Sequence, residues 1–231
     1  MRKNSKKDCI KSIRQRVLSM ELRPGALLDE TVLAQEFGIS RTPLREVIQR
    51  LCGEGYLVME QNRGAKVAPM DFATLRHFFQ AAPMIYAAVS RLAAENSDPD
   101  AVLKLKDTQR AFRQSLSVNN PSATAMLNHR FHQQIGEMAG SLYLVPSLDR
   151  LLIDHTRISH TFYRTVSDFE RDRVNTAANQ HDEMIEAFEE GDPAHAVDLT
   201  LEHWALSRNS IEEFVSPDPF AFELGEEARA V

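Results

Sequence analysis

Apolar residues in the first seventy positions recur in short helical and strand-like patterns separated by turn residues. Helical spacing predicts helices over 10–19 and 31–37, and Gly38 is a suitable stop for the second. A third helix is indicated by apolar residues at i, i+3, i+4 and i+7, which are Leu44, Val47, Ile48 and Leu51. Two β-like runs, 56–60 and 65–68, flank a glycine-containing turn. The predicted order is therefore helix, helix, turn, helix and two-stranded wing.

From about residue 72 onward the pattern is helical almost throughout. Turns rich in Asn, Asp, Gly and Pro divide this part into six predicted helices, at 72–96, 99–117, 122–139, 142–165, 168–190 and 193–214. The fold class is therefore mainly α, with a winged helix-turn-helix over 1–70 and an all-α bundle of six or seven helices over 71–215. Residues 216–231 hold two Pro and four acidic residues and are predicted to form a disordered acidic tail.

Composition narrows the class of protein. The 231 residues are 43% hydrophobic and 26% charged, as in an ordinary soluble globular chain. Only two Cys, at positions 9 and 52, argue against a disulfide scaffold or a Cys-rich zinc module. No apolar run approaches the ~18 residues of a membrane span, and the basic N-terminus lacks the apolar stretch of a signal peptide. We therefore expect a cytoplasmic protein without a membrane partner.

Charge is distributed unevenly along the chain. Residues 1–70 hold 13 Lys and Arg against 8 Asp and Glu, a net charge of +5, whereas the remainder holds 14 against 25, a net charge of −11. A basic N-terminal part beside an acidic remainder suggests that the two parts have different partners. Acidic domains are common, so this asymmetry alone is only a weak indication of nucleic-acid binding.

The third predicted helix has a basic face that suits DNA. Arg41, Arg45 and Gln49 are spaced so that they lie opposite the apolar stripe. Arg can bind guanine bidentately in the major groove or pair with a phosphate, and Thr42 at the helix N-terminus can hold a phosphate oxygen. The alternative is the solvated basic face of an ordinary helix. The turn before this helix and the wing after it favour DNA binding.

Residues 13–68 resemble the winged helix-turn-helix of GntR-type bacterial repressors. The matching residues are Arg23-Pro24-Gly25, Leu28, Glu30, Leu33-Ala34, Gly38-Ile39-Ser40-Arg41-Thr42-Pro43-Leu44-Arg45-Glu46, Leu51, Gly55, Gly64 and Val67. The DNA contacts that the resemblance implies are Ser40, Arg41, Thr42, Arg45 and, at the wing, Arg63 and Gly64. Thr31 stands where some relatives carry a DNA-contacting Arg. The resemblance also implies a homodimer that binds a pseudo-palindromic double-stranded DNA operator.

Residues 72–214 resemble the FCD ligand-binding domain of the FadR subgroup. The matching motifs are Asn128-His129-Arg130-Phe131-His132, His181 followed by Met184-Ile185-x-Ala187, Gly191-Asp192-x-x-x-Ala196, and His203. Helical spacing puts His132, His181 and His203 on or beside inward faces, where each could be a metal ligand or a hydrogen-bonded core histidine. The resemblance implies that they converge, with Asn128, on a divalent transition metal. Imidazole suits zinc or nickel best, with manganese or iron as alternatives.

Three positions in this part of the chain depart from the family. Its first metal ligand is often Asp, and the neutral Asn128 leaves the charge of the cation uncompensated, which favours an anionic, carboxylate effector in the coordination shell. Many acid-binding relatives carry Arg and Glu where this chain has Ala82 and Tyr86. Tyr86 and Arg157 are therefore the candidate effector-binding residues, with an ordinary surface position as the alternative for Arg157.

Three classes of function fit these features to different degrees. They are an effector-responsive transcriptional regulator, a metal-dependent enzyme that uses the three His, and a DNA binder without an effector. The chain has no His-Glu-x-x-His, no Gly-rich phosphate loop and no Gly-x-Ser-x-Gly, and an enzyme would have no use for the DNA-binding part. An inward set of His argues against the third class. We therefore predict a regulator, a repressor by family resemblance, and not an enzyme.

Overall fold

The computed structural model describes residues 5–61, 63–164 and 167–215 of the chain. Its N-terminal part, called here the winged-helix region (residues 5–68), contains the predicted three helices and two strands. These are α1 Ser5–Leu18, α2 Glu30–Phe37, α3 Arg41–Glu54, β1 Leu57–Glu60 and β2 Gly64–Val67. The predicted disordered tail, 216–231, lies outside the described residues.

Helix α2 begins and ends where its sequence supplies capping groups. The carboxylate of Asp29 accepts hydrogen bonds from the backbone N–H groups of Thr31 and Val32, at 2.9 and 3.0 Å. Gly38 ends the helix in a left-handed conformation, with φ of 60°. The N–H of Ile39 then donates to the carbonyl of Ala34 at 3.1 Å. This tight turn leaves only residues 38–40 between α2 and α3.

The apolar stripe of α3 lies at the centre of a small core. Its members are at most 2% exposed: Leu44, Val47, Ile48 and Leu51. They share this core with buried residues of α1 and the wing, among them Ile13, Val17, Leu57 and Val67. Strands β1 and β2 pair antiparallel, from Leu57 opposite Val67 to Glu60 opposite Gly64. Gly64 has a φ of 85°, which favours glycine at the end of this turn.

The second part, called here the helical bundle (residues 72–215), contains six helices among the described residues, as predicted. They are α4 Phe72–Glu95, α5 Pro99–Ser117, α6 Pro121–Ala139, α7 Leu144–Phe162, α8 Asp168–Glu190 and α9 Pro193–Val215. Helix α4 contacts α6, α7, α8 and α9 and is therefore central to the bundle. Across the described part of the chain, we find no helix with the length and apolar character needed to cross a membrane.

Helix α7 lies between the two parts. All nine residues from 152 to 160 are buried. Ile153 is 0% exposed and belongs to the core of the winged-helix region. One turn earlier, the side chain of Arg150 lies directly against Gly55, at the end of α3. A helix of the bundle thus completes the core of the winged-helix region.

The position of Ile153 generates a stability prediction. Ile153→Ala should lower the free energy of unfolding by about 2–5 kcal/mol, because it removes apolar contacts and leaves a cavity. The matched control is Leu103→Ala, since Leu103 is 58% exposed on α5 and its truncation should cost less than about 0.5 kcal/mol. Urea unfolding followed by circular dichroism measures both. Similar losses for the two variants would contradict the described packing of α7.

Candidate DNA-binding surface and metal centre

The polar face of α3 is open to solvent. Its exposed residues include Arg41, Thr42, Arg45 and Gln49, together with Glu46 and Arg50. Neither Arg41 nor Arg45 forms an ion pair with any described residue, whereas Arg14 and Arg16 of α1 pair with Glu side chains of α3 and α2. A depression of about 440 Å³ opens between α2 and α3 and is lined by both unpaired Arg residues. Two uncompensated guanidinium groups beside a concavity suit a phosphate backbone and base edges.

The remaining candidate DNA contacts lie at the ends of neighbouring elements. Ser40 occupies the N-cap position of α3, but its side chain makes no capping hydrogen bond, so the first N–H groups of α3 are available to another acceptor. Arg63 is 70% exposed at the wing, with its Nη1 3.9 Å from Glu60 Oε1, and Gly64 follows it. Thr31 is exposed at the start of α2.

Three imidazoles meet inside the bundle. His132 on α6, His181 on α8 and His203 on α9 are 4%, 0% and 5% exposed. One ring nitrogen of each lies within 4.8 Å of one ring nitrogen of each of the others. Asn128 lies one turn before His132 and is 1% exposed, and its Oδ1 has no hydrogen-bond partner among the described residues.

Hydrogen bonds orient two of these rings. Gln109 Nε2 donates to the carbonyl of Ala178 at 2.8 Å, so its Oε1 is the atom that accepts from His181 Nδ1 at 3.1 Å. Gln180 Oε1 lies 3.2 Å from His203 Nδ1 in the same way. A proton on Nδ1 leaves the lone pair on Nε2, which is the arrangement that outer partners impose on metal-binding imidazoles.

The unpaired nitrogen atoms of this cluster fit a metal. Within the described part of the chain, His132 Nε2 and His181 Nε2 are buried without a hydrogen-bond partner, a state that is costly in a protein interior. Burial lowers the pKa of His203 to about 4 and, together with the neighbouring imidazoles, lowers the pKa of His132 and of His181 well below the usual value. All three rings are therefore neutral near pH 7, as metal ligation requires.

A fourth imidazole, which the sequence analysis did not select, lies beside this cluster. The ring of His155 on α7 is 5.0 Å from that of His132, centroid to centroid. Its Nδ1 shares a 2.6 Å hydrogen bond with the hydroxyl of Tyr86, so the candidate effector residue Tyr86 is at the site. By contrast, His129 faces away, with its Nδ1 2.7 Å from the hydroxyl of Thr156. His155 could have been noticed because it follows the apolar Leu152 by three residues.

Arg157, the other candidate effector residue, bonds towards the winged-helix region, and the alternative of a surface position for it is wrong. Its side chain is fully buried and forms an ion pair with Asp154. Its Nη1 donates to the carbonyl of Ala68 at 2.6 Å, and its Nη2 donates to that of Pro69 at 3.4 Å. These partners occupy the guanidinium between the two parts of the chain. Arg157 is therefore not a surface residue, and among its guanidinium nitrogens only Nε has no hydrogen-bond partner among the described residues.

An open basic helix beside a wing, joined to a helical bundle with a buried imidazole cluster, defines a two-part transcriptional regulator. The FCD domain family model matches residues 78–206, more than half of the chain. The model described as bacterial regulatory proteins, gntR family, matches residues 6–67. The chain therefore belongs to the GntR family of bacterial regulatory proteins and carries an FCD domain.

Similar proteins support this class. An uncharacterized HTH-type transcriptional regulator in an unstable DNA locus of Streptomyces ambofaciens is 28% identical over 225 residues, which cover 95% of this chain and 90% of that protein. The HTH-type transcriptional repressor RspR of Escherichia coli (strain K12) is 23% identical over 155 residues, 67% of this chain and 68% of that one. The solved structure of E. coli McbR/YncC has the same fold, with a TM-score of 0.75 at 17% identity over 92% of this chain and 97% of that one. The relatives are named as regulators and not as enzymes, in agreement with the sequence analysis.

The hydrogen bond from His181 to Gln109 leads to a prediction about metal affinity. Gln109→Leu should weaken zinc binding by about 10- to 100-fold, because it removes the acceptor that orients the His181 ring. Gln114→Leu is the control, since Gln114 is exposed on the same helix. Competition with a chromophoric chelator measures both affinities. Equal affinities for the two variants would show that Gln109 does not orient a ligand.

Proposed function

We propose that this regulator is a homodimeric, cytoplasmic repressor whose affinity for its operator depends on a small carboxylate effector bound beside a divalent metal. In this proposal residues 1–70 bind DNA, and residues 71–215 bind the effector and mediate dimerisation. The observation that carries the proposal is the buried set of three neutral imidazoles, in which the Nε2 atoms of His132 and His181 have no hydrogen-bond partner among the described residues. In a core histidine that binds no ligand, both ring nitrogen atoms would normally be hydrogen-bonded to protein or water.

The winged-helix region supplies the DNA contacts of the proposal. Helix α3 would enter the major groove with Arg41 and Arg45 at base edges or phosphates, and Ser40 and Thr42 would hold a phosphate at its N-terminus. Arg63 and Gly64 would place the wing against the backbone. One such region has few contacts, so two copies related by two-fold symmetry would bind the half-sites of a pseudo-palindrome.

The bundle supplies the metal ligands of the proposal. His132, His181 and His203 would bind zinc or nickel, or alternatively manganese or iron, and the Oδ1 of Asn128 would be the fourth protein ligand. Three imidazoles and an amide are all neutral, so the protein does not balance the charge of the cation. The metal, when bound, would supply a Lewis-acidic centre for an anionic ligand, which is why we propose a carboxylate effector.

Polar groups beyond the metal ligands support an effector at this site. Tyr86 and His155 share a hydrogen bond, and the rings of both lie within 5.4 Å of the His132 ring, centroid to centroid. They are neutral donors and acceptors that could bind further oxygen atoms of the effector. We propose that the protein represses transcription rather than activating it, because the E. coli relative is named a repressor. Effector binding and operator binding would then be linked reciprocally.

The DNA-binding part of the proposal is tested on the recognition helix. Arg45→Ala should weaken operator binding by about 1–3 kcal/mol and relax sequence preference at one position, because it removes a base contact. Arg110→Ala on α5 is the control, since this exposed Arg pairs with the neighbouring Asp107 and with no other described residue. Binding is measured by fluorescence anisotropy on operator variants. An unchanged affinity and preference for Arg45→Ala would contradict the assigned role of α3.

The metal part is tested by elemental analysis and metal titration. We expect one transition metal per chain, its loss in His181→Ala, and a lower thermal midpoint for that variant, because the metal binds only the folded bundle. Asn128→Asp should bind zinc more tightly than the wild type, since it adds a negative ligand. If the wild type contains no metal and cannot be loaded with zinc, nickel, manganese or iron, the three His are core residues. The DNA binder without a metal-linked effector would then be the better description.

A further inference from the structure

The central segment of helix α7, residues 152–160, is buried on every side although most of its residues are polar. Of the nine buried residues from 152 to 160, six are polar: Asp154, His155, Thr156, Arg157, Ser159 and His160. A helix that only filled the bundle would be expected to be apolar throughout. The polar groups of α7 instead make hydrogen bonds in two directions, some to the winged-helix region and some towards the imidazole cluster.

One face of α7 is hydrogen-bonded to and packed against the winged-helix region. Arg157 donates to the carbonyls of Ala68 and Pro69, which lie between the end of β2 and the start of α4. The ring Nε2 of His160 donates to the carbonyl of Leu18, the last residue of α1, at 2.8 Å. Ile153 enters the core of the winged-helix region on the same face. The contacts thus reach both the first helix and the residues that follow the wing.

Another face of the same helix contacts the candidate metal centre. His155 lies two residues before Arg157 and shares a hydrogen bond with Tyr86. The His155 ring is 5.0 Å from the His132 ring, centroid to centroid. A shift or rotation of α7 at His155 therefore moves Arg157 as well, because less than one rigid helical turn separates them.

We propose that Arg157 is the positioning residue that transmits the state of the imidazole cluster to the winged-helix region. This inference rests on the proposed function. Arg157 suits the role because one planar guanidinium holds two successive backbone carbonyls and the carboxylate of Asp154 together. Asp154 also accepts from Arg150 Nη1 at 3.1 Å, and Arg150 lies against Gly55 at the end of α3. The Arg157–Asp154 pair therefore connects α7 to the connection after the wing and to the recognition helix.

Hydrogen–deuterium exchange of the full-length protein, with and without zinc, tests this role. In the wild type, zinc should slow exchange in bundle segments around the His ligands and also in the distant segments 51–60 and 64–68. In Arg157→Met, zinc should still protect the bundle segments, but its effect on 51–60 and 64–68 should shrink by about tenfold, a typical size for coupling between sites. Arg110→Met is the control for removing an Arg from the bundle surface and should behave like the wild type.

Two outcomes would overturn the inference. One is zinc protection of 51–60 and 64–68 that is as large in Arg157→Met as in the wild type. The other is a wild type in which zinc protects the bundle but not these segments. If zinc protects no segment, the proposed metal site is wrong, and the inference is then tested without zinc.

In this second test, Tyr86→Phe removes the hydrogen bond to His155. It should change exchange in 51–60 and 64–68 when Arg157 is present, but not in the Arg157→Met background.

Arg157→Lys separates coupling from folding. The ammonium keeps the charge beside Asp154 but cannot hold two carbonyls and the carboxylate in one plane, so coupling to the winged-helix region should be intermediate while the bundle stays folded. If Arg157→Met does not fold, Arg157→Lys carries the same comparison. Full zinc-linked protection of 64–68 in Arg157→Lys would contradict a role for the planar guanidinium.

Discussion

Polar side chains that are removed from water must find partners inside the protein, and much of this structure follows from that constraint. Helix α7 buries a charged pair, two histidines and two hydroxyls within nine residues. The carbonyls that accept from Arg157 Nη1 and His160 Nε2 belong to the winged-helix region. The two parts are therefore joined by hydrogen bonds that neither could make alone. These hydrogen bonds fix the relative position of the two parts more precisely than an apolar contact would, because each donor requires its own acceptor.

The same constraint explains the imidazole cluster. Desolvation keeps His132, His181 and His203 neutral and lowers the pKa of His155 to about 3. Neutral rings with their Nδ1 atoms on Gln109 and Gln180 present lone pairs to a common centre. An apolar cavity would need no such orientation. The cost of burying these nitrogen atoms without partners is the physical reason to assign them a ligand.

The candidate binding sites of the two parts differ in charge. In the winged-helix region, four basic residues of α1 and α3 pair with Glu side chains, namely Lys6, Arg14, Arg16 and Arg50. Arg41 and Arg45, on the face that would meet DNA, form no ion pair with any described residue. In the bundle, the polar groups around the candidate metal centre are neutral. The proposed ligands are thus recognised by different means. DNA would meet unpaired Arg side chains on a surface, whereas the carboxylate effector would meet a buried metal. Helix α7 lies between the two sites.

Local patterns in the sequence were sufficient to predict the order of helices and strands and the basic face of α3. Periodicity, turn residues and caps act over a few positions, so they can be recognised without the fold. The inward positions of His132, His181 and His203 could also be predicted, but their convergence came from family resemblance. The burial of Arg157 was not predicted, because its acceptor at Ala68 is 89 residues away in sequence. His155 was missed for a related reason, since its partner Tyr86 lies on another helix. Only the tertiary structure decides which distant groups share a buried space, because the energy of a buried polar group depends on neighbours that the local sequence does not contain.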